Sequence, residues 1–452
     1  MSAAVSPLAV ALESIATCFE GIIPASICSC SPDGTPNLTY LSIVHRVDSR
    51  HVGLSHQFFN KTKENILQNP FVQVVVVSPS NLRQYRLDLR FERTESQGPV
   101  FDRVKTRLDA VASQTGMSHV FRLHGVDIFK VLDCRPTTAE TGGEGLHRVD
   151  YLPQIEEFTA RLAGCSGLES VINLSLDALS ALFGYDHSFL MVPDEDGKRL
   201  FTLASRGFGE SGIGSEAWIG EGILGIAAER REVVRITNFS RDVLYSKAVR
   251  STLEHRGEDS LLEREIALPG LPQVKSQLVA PLVAHERLLG ILCLQSETAG
   301  RFLSDDERVV RIIASQMAAS MALLERVESS KPQEIPRPPP TVRSTATATI
   351  KHYKADDSIF IDDAYLIKGI AGRIFWKLLQ SYADSGRVDF TNKEIRLDAS
   401  LQLPDIKDNL EARLILLRRR LQERCDFISM NPVGRGQLRL DVQRQLRLEE
   451  RL

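Results

Sequence analysis

The chain has 452 residues, of which 43% are apolar and 25% charged, and its formal net charge is −3. That length suits about three domains with cores of their own, and that composition excludes a disordered or collagen-like chain. The near-neutral balance excludes polyanion binding by bulk charge, so any nucleic-acid contact has to come from a local patch.

The seven cysteines (Cys18, Cys28, Cys30, Cys134, Cys165, Cys293 and Cys425) are scattered and form no CxxC pair. They indicate neither a zinc ribbon nor a disulfide framework, and a reducing compartment suits them best. Residues 1–16 carry no positive n-region and are interrupted by Glu13, so no signal peptide is expected. The longest apolar runs, such as Val74–Val77, fall far short of the roughly 18 residues that span a bilayer. A cytoplasmic protein without membrane contact or a metal site is expected.

Residues 1–135 are strand-rich. Ala25–Ser29 precedes the turn signal Pro32-Asp33-Gly34-Thr35, and Thr39–Val47, Val52–Phe58 and Phe71–Val77 follow as strands. Between Arg83 and Arg93, Tyr85, Leu87, Leu89 and Phe91 alternate inward against Arg86, Asp88, Arg90 and Glu92. A helix pattern over Val100–Val111 precedes a last strand at Val126–Leu132. Short strands with one interposed helix suggest a small barrel. Cys28 and Cys30 share one strand face and read as small core thiols. At the end of one strand stands His56-Gln57-Phe58-Phe59-Asn60-Lys61-Thr62-Lys63, leading into a helix closed by Asn69-Pro70. A helix N-terminus favours anions, and Lys61, Thr62 and Lys63 add charge and a hydroxyl donor suited to phosphate.

At these residues the block resembles the pyridoxamine 5′-phosphate oxidase family, an FMN-binding split barrel. The resemblance implies that Lys61 touches the flavin phosphate, that His56 and Gln57 lie nearer the ring, and that Thr62 and Lys63 complete the site. Thr62 stands where the family has its second cation, with Lys63 as the compensating charge. The arginine-rich strand of the family is represented only loosely, by His45-Arg46. No pyridoxal-phosphate clamp is evident, so no catalytic residue is assigned and binding is expected rather than turnover. An empty barrel serving as an interaction module, or one that holds haem or another cofactor, stays open.

Residues 136–153 read as a linker, with Gly and Thr clustered and little apolar content. Residues 154–327 open and close with helices around strands at Ser188–Val192, Leu200–Ser205, Gln277–Pro281 and Leu288–Gln295, an α+β pattern with a central sheet. Asp196-Gly197 turns a hairpin, Gly220 and Gly222 permit tight backbone before a helix, and Gly290 lets its strand pass close to neighbouring backbone. A helix over Asp305–Val327 begins with Ser304 and Glu307 as a capping box. This succession resembles a GAF domain, in which small ligands bind between the sheet and its covering loops. Here residues 241–272 form the covering region. The ligand is unknown. Cys293 and His187 read as core residues, and Arg206 as either an anion contact or a turn residue. Helices flanking GAF domains pair in parallel dimers, which implies a homodimer.

Residues 328–349 hold Pro332, Pro336, Pro338, Pro339 and Pro340 and read as an extended spacer. Residues 350–452 read as helical and then as short strands. Ile370–Tyr382 carries an apolar face, Thr391 and Glu394 form a capping box, Asp408–Arg424 is an amphipathic helix and Phe427–Leu440 a hairpin. Between Lys407 and Arg439 eight basic residues face four acidic ones. Leu410, Leu414, Leu417 and Leu421 form one buried stripe, and Arg413, Arg420 and Arg424 share a flank. The order resembles the winged-helix effector domain of bacterial response regulators, at Leu417-Arg418-Arg419-Arg420-Leu421 and Val433-Gly434-Arg435-Gly436. The resemblance implies DNA as partner, with Arg418, Arg419 and Arg420 at the recognition helix, Arg413 facing the groove and Arg435 entering the minor groove. Ile415 and Leu416 stand where that family shows polar base-reading residues, so a winged helix that docks protein stays open.

The expected fold is therefore multidomain α+β: an N-terminal split β-barrel, a central GAF α/β sandwich and a C-terminal winged helix-turn-helix. The expected function is a one-component transcriptional regulator that binds flavin or another small ligand in the barrel or the GAF domain and DNA through the winged helix. A flavin-dependent oxidoreductase with regulatory domains, and a signalling adaptor, are the alternatives.

Overall fold

The computed structural model describes residues 8–41, 43–56, 61–79, 82–114, 123–137, 150–194, 196–238, 270–327, 347–362, 364–401, 403, 410–434 and 436–451. The expected covering region, both linkers, Gln57 and Arg435 lie wholly or mostly outside them. The chain forms two compact units. One comprises Met1–Ile155, Gly220–Pro281 and Cys293–Ile313, the other Glu156–Ile219, Leu282–Leu292 and Ala314–Leu452.

In the first unit, β1 (Ala25–Cys30) and β2 (Pro36–Leu41) form a hairpin across the expected Pro32–Thr35 turn. β3 (Val44–Arg46) pairs with β4 (His51–His56), and helix α1 (Lys61–Gln68) follows. β5 (Phe71–Val77), β6 (Gln84–Glu95) and β7 (Gly125–Pro136) form an antiparallel run, with α2 (Pro99–Gln114) between the last two. The seven strands make a half-barrel-like sheet in the order β2-β1-β5-β6-β7-β4-β3. Its core gathers Ile27, Val74, Leu87, Leu89 and Phe129 with Leu12 and Ile15 from a short N-terminal 3₁₀ helix, and Tyr85 and Phe91 pack against it. The alternation read between Arg83 and Arg93 therefore sets the inward face. Cys28 and Cys30 do share a face, but it is the half-buried one; Ala25, Ile27 and Ser29 take the buried side. The expectation of core thiols fails there because alternation fixes only which residues go together, not which side the core lies on.

The second unit contains most of α3 (Leu152–Ala163), then α4 (Leu168–Phe183), β8 (His187–Pro193), β9 (Arg199–Arg206) and β10 (Glu216–Trp218). Further along the chain are α5 (Gly222–Arg230), β11 (Val234–Ile236), β12 (Ser276–Ala284), β13 (Arg287–Ser296) and α6 (Ser304–Val327). The six-stranded sheet runs β10-β9-β8-β13-β12-β11. Gly290 behaves as read: a Cβ there would lie 2.5 Å from the carbonyl oxygen of Met191. The capping box at Ser304 does not form as expected. The Leu303 amide donates to Asp306 at 2.8 Å, while Glu307 is drawn to Arg235 and Arg311 at 2.8 and 2.9 Å. Glu20 is the second carboxylate on Arg235, and its backbone oxygen accepts from the Thr237 hydroxyl at 2.8 Å.

The C-terminal block opens not with helix but with three strands, β14 (Thr347–Tyr353), β15 (Ser358–Ile361) and β16 (Ala364–Ile367). Then come α7 (Gly369–Ser385), β17 (Asp389–Thr391), α8 (Asn392–Leu397), α9 (Leu410–Arg424), the hairpin β18 (Ile428–Gly434) and β19 (Gln437–Val442), and β20 (Gln445–Arg451). β20 returns to pair in parallel with β14, making the sheet β16-β15-β14-β20, and β17-β19-β18 is a second small sheet. The Thr391–Glu394 capping box closes both of its bonds, at 3.2 and 3.0 Å. No helix among the described residues is long and apolar enough to cross a membrane.

Candidate functional site

Helix α1 begins at Lys61, and its first three side chains go to three different places. Lys61 is exposed on the first turn. Thr62 is buried, and its hydroxyl accepts from Asn37 Nδ2 at 2.9 Å. Lys63 turns inward. Its ammonium pairs with Asp127 on β7, donates to Thr94 Oγ1 at 3.1 Å and sits 4.9 Å from the centre of the Phe91 ring. Thr94 in turn donates to Asp127 Oδ1 at 2.6 Å. Lys63 and Asp127 are each under 10% exposed, so this is a buried ion pair with its lone pairs partly satisfied by a hydroxyl. The structure thus separates residues that the sequence grouped as one phosphate grip. Lys61 stands at the helix N-terminus where an anion is favoured, whereas Lys63 already has its counter-charge. The backbone of His56 ends β4 opposite Gly125, and its side chain lies outside the described residues.

The His45-Arg46 step supplies little further positive charge. Arg46 pairs with Glu13 at 3.0 Å. Burial, with Arg107, Arg103 and Arg235 nearby, pushes the His45 pKa down to about 3, so its ring is neutral at ordinary pH. Among the described residues, Lys61 and the first turn of α1 could hold an anion, whereas the ammonium of Lys63 is paired with Asp127. Asp127 and Thr94 were not singled out in the sequence. One carboxylate in the apolar run Gly125–Val131 was the available signal, since a buried acid needs a partner.

In the six-stranded sheet Cys293 is buried and accepts from Gln277 Nε2 at 3.2 Å; burial pushes its thiol up to about 12. That is a core thiol, poorly suited to act as a thiolate ligand. His187 meets Phe208 edge to face at 5.6 Å, and Arg206 pairs with Asp177 at 2.6 Å. Among the described residues no group of three or more His, Cys, Asp or Glu is placed to hold a metal ion.

The arginines of α9 are the largest departure from the amphipathic pattern. The leucine stripe is buried as read, but Ile415, Leu416, Arg413 and Arg420 are buried too, so the helix is covered nearly all round. Arg413 lies with its guanidinium 4.6 Å from the centre of the Phe201 ring on β9. Arg418 pairs with Glu169 in the first turn of α4. Arg419 donates to the Leu203 carbonyl and to Asn173 Oδ1, both at 2.7 Å. Burial lowers its pKa despite the nearby Glu169. Arg420 donates from Nε to the Leu366 carbonyl at 3.0 Å and pairs with Glu423 at 3.2 Å. Arg424 is exposed. A cavity of about 420 Å³ opens beside Arg413 and Arg420. Charges on its wall are paired in place: Arg199 and Lys368 with Glu216 at 2.9 and 3.2 Å, and Arg373 with Asp357 at 2.6 Å.

Comparison with known proteins divides the chain in the same order. Residues 11–137 match the family model of pyridoxamine 5′-phosphate oxidase, and residues 167–321 match the GAF domain. Among solved structures, a GAF domain from an Acinetobacter phosphoenolpyruvate-protein phosphotransferase is similar at 20% identity, covering 39% of this chain and 95% of that one, with a TM-score of 0.32. An FMN-binding protein from Syntrophomonas wolfei is similar at 17% identity over 28% of this chain and 89% of that one, with a TM-score of 0.24. Free methionine-R-sulfoxide reductase from Neisseria meningitidis is similar at 14% identity over 41% and 99%, with a TM-score of 0.32. No curated protein matches.

Two outcomes follow from the seven-stranded sheet. Lys63→Ala leaves Asp127 buried without its cation and is expected to cost about 3–5 kcal/mol in urea denaturation, against under about 0.5 for Lys61→Ala. Equal costs would contradict the buried pair. His45 should show no midpoint by NMR between about pH 5 and 8. Because its folded pKa lies below the ordinary 6.5, the unfolded chain alone takes up the proton below that pH. Its contribution to stability is therefore constant above 6.5 and lost as pH falls toward 3. A midpoint near 6.5 would contradict the neutral ring.

Proposed function

We propose that the chain is a cytoplasmic sensory regulator: the oxidase-like sheet and the GAF domain take small ligands, and the C-terminal module is a winged helix whose target is DNA. One observation carries this reading. A single chain joins two ligand-binding domain types to a module of the order helix, strand, helix, helix, hairpin, in which β17 completes a three-stranded sheet with the hairpin. We read that order as the winged form of the helix-turn-helix, in which the second helix of the pair reads a groove and the hairpin flanks it. Here α8 and α9 are the pair and β18–β19 the wing.

In the barrel the reading assigns the flavin phosphate to Lys61 and the first-turn amides of α1. A flavin there would supply redox-sensitive or light-absorbing chemistry. The residues of this chain do the holding: Lys61 meets the phosphate charge, and the Thr62–Asn37 and Lys63–Asp127 contacts anchor the helix that presents it. Asn65 adds to the anchor by donating to Ser29 Oγ at 3.1 Å.

Equilibrium titration with FMN and with riboflavin tests the assignment. Lys61→Ala is expected to weaken FMN binding about tenfold, the value of one charge-assisted hydrogen bond, and to leave riboflavin unchanged. An equal loss for both ligands, or none for either, would remove Lys61 from the phosphate site.

A further inference from the structure

The cations assigned to DNA on α9 are already in use, and most of their partners come from outside the C-terminal module. Arg418 is held by the Glu169 carboxylate, Arg419 by the Asn173 amide oxygen and the Leu203 carbonyl, and Arg413 by the face of Phe201. All four partners sit on α4 and β9, within residues 167–321 that match the GAF domain. Arg420 is held within its own module, through Leu366 and Glu423. The acceptors, one carboxylate and two neutral oxygens, take up N–H donors that a phosphate oxygen would otherwise accept from. Glu169 is further favoured by its place in the first turn of α4, where the helix dipole stabilises a negative charge.

We propose that this α4–β9 surface is an autoinhibitory docking site for α9, withholding Arg413, Arg418 and Arg419 from DNA until the contact opens. The inference rests on the DNA-binding reading above. With Nη1 donating to Leu203 and Nη2 to Asn173, the Arg419 guanidinium is committed to the α4–β9 surface, and a fork from those two nitrogens to a phosphate requires the contact to open. The affinity of the chain for DNA is therefore its open-state affinity multiplied by the fraction of molecules in which α9 is released. Any ligand that binds the two states of the GAF domain unequally changes that fraction by as much as its two affinities differ. Sensing and output are thereby joined through one set of hydrogen bonds, with no need for a signal to cross the Pro-rich segment.

The full-length double variant Glu169→Gln, Asn173→Ala tests this against wild type. The probe is a fluorescent duplex of about 30 base pairs of mixed sequence, read by polarisation across a salt series. Hydrogen exchange over residues 410–424 is measured alongside. The expected result is faster exchange in the variant, DNA affinity higher by about tenfold or more, and a steeper salt slope, since each newly engaged arginine adds about 0.9 to it. Adding Arg418→Ala and Arg419→Ala to the double variant should abolish the gain. Faster exchange with DNA affinity equal to that of wild type would overturn the autoinhibitory contact and leave the DNA reading standing. Unchanged exchange would also overturn it, because the contact would not be what holds the helix. Faster exchange with no duplex binding by either protein would remove the DNA reading and this inference together.

Discussion

A guanidinium group has five N–H donors and no acceptor, and once buried it must find oxygens for them. On helix Leu410–Arg424 that requirement decides how the C-terminal half of the chain is built. Arg419 reaches a side-chain oxygen and a backbone oxygen more than 200 residues earlier in the chain, and Arg418 reaches a carboxylate beside them. Those acceptors let Arg418 and Arg419 lie against α4 and β9 beside the apolar Ile415 and Leu416. With them the helix is buried on several faces, its leucine stripe together with Ile415, Leu416, Arg413 and Arg420.

The same principle governs the N-terminal half-barrel-like sheet in miniature. Lys63 is buried because Asp127 and Thr94 are there to receive it, and in being received it ceases to be a general anion site. Lys61, two residues earlier, is exposed on the first turn. A run of like charges in sequence thus resolves into one structural cation and one cation presented to solvent. Arg46 and His45 repeat the pattern, the first paired with Glu13 and the second kept neutral by burial and by neighbouring arginines.

Much of the fold was legible because it rests on local rules. The Pro32–Thr35 turn, the inward alternation of Tyr85 to Phe91, the Thr391–Glu394 cap, the close approach at Gly290 and the hairpin around Gly434 and Gly436 each follow from a few adjacent residues. What was not legible depends on distant partners. The parallel pairing of Thr347–Tyr353 with Gln445–Arg451 joins strands nearly a hundred residues apart, and neither announces the other. The arginines of α9 read as DNA contacts from the local sequence, which does not reveal that Arg418 and Arg419 have partners on Leu168–Phe183 and Arg199–Arg206. The Ser304–Glu307 cap was lost to a competitor, Arg235, that no local pattern reveals.

The central physical claim is that α9 is held through its guanidinium groups and not merely by its leucines. A double-mutant cycle on Arg419→Ala and Asn173→Ala, read by urea denaturation of the full chain, measures that bond directly. A coupling energy of about 1 kcal/mol or more is predicted for a buried, charge-assisted pair. Costs that add to within about 0.5 kcal/mol would mean the two side chains do not hold one another, and the helix would have to be placed by its apolar face alone.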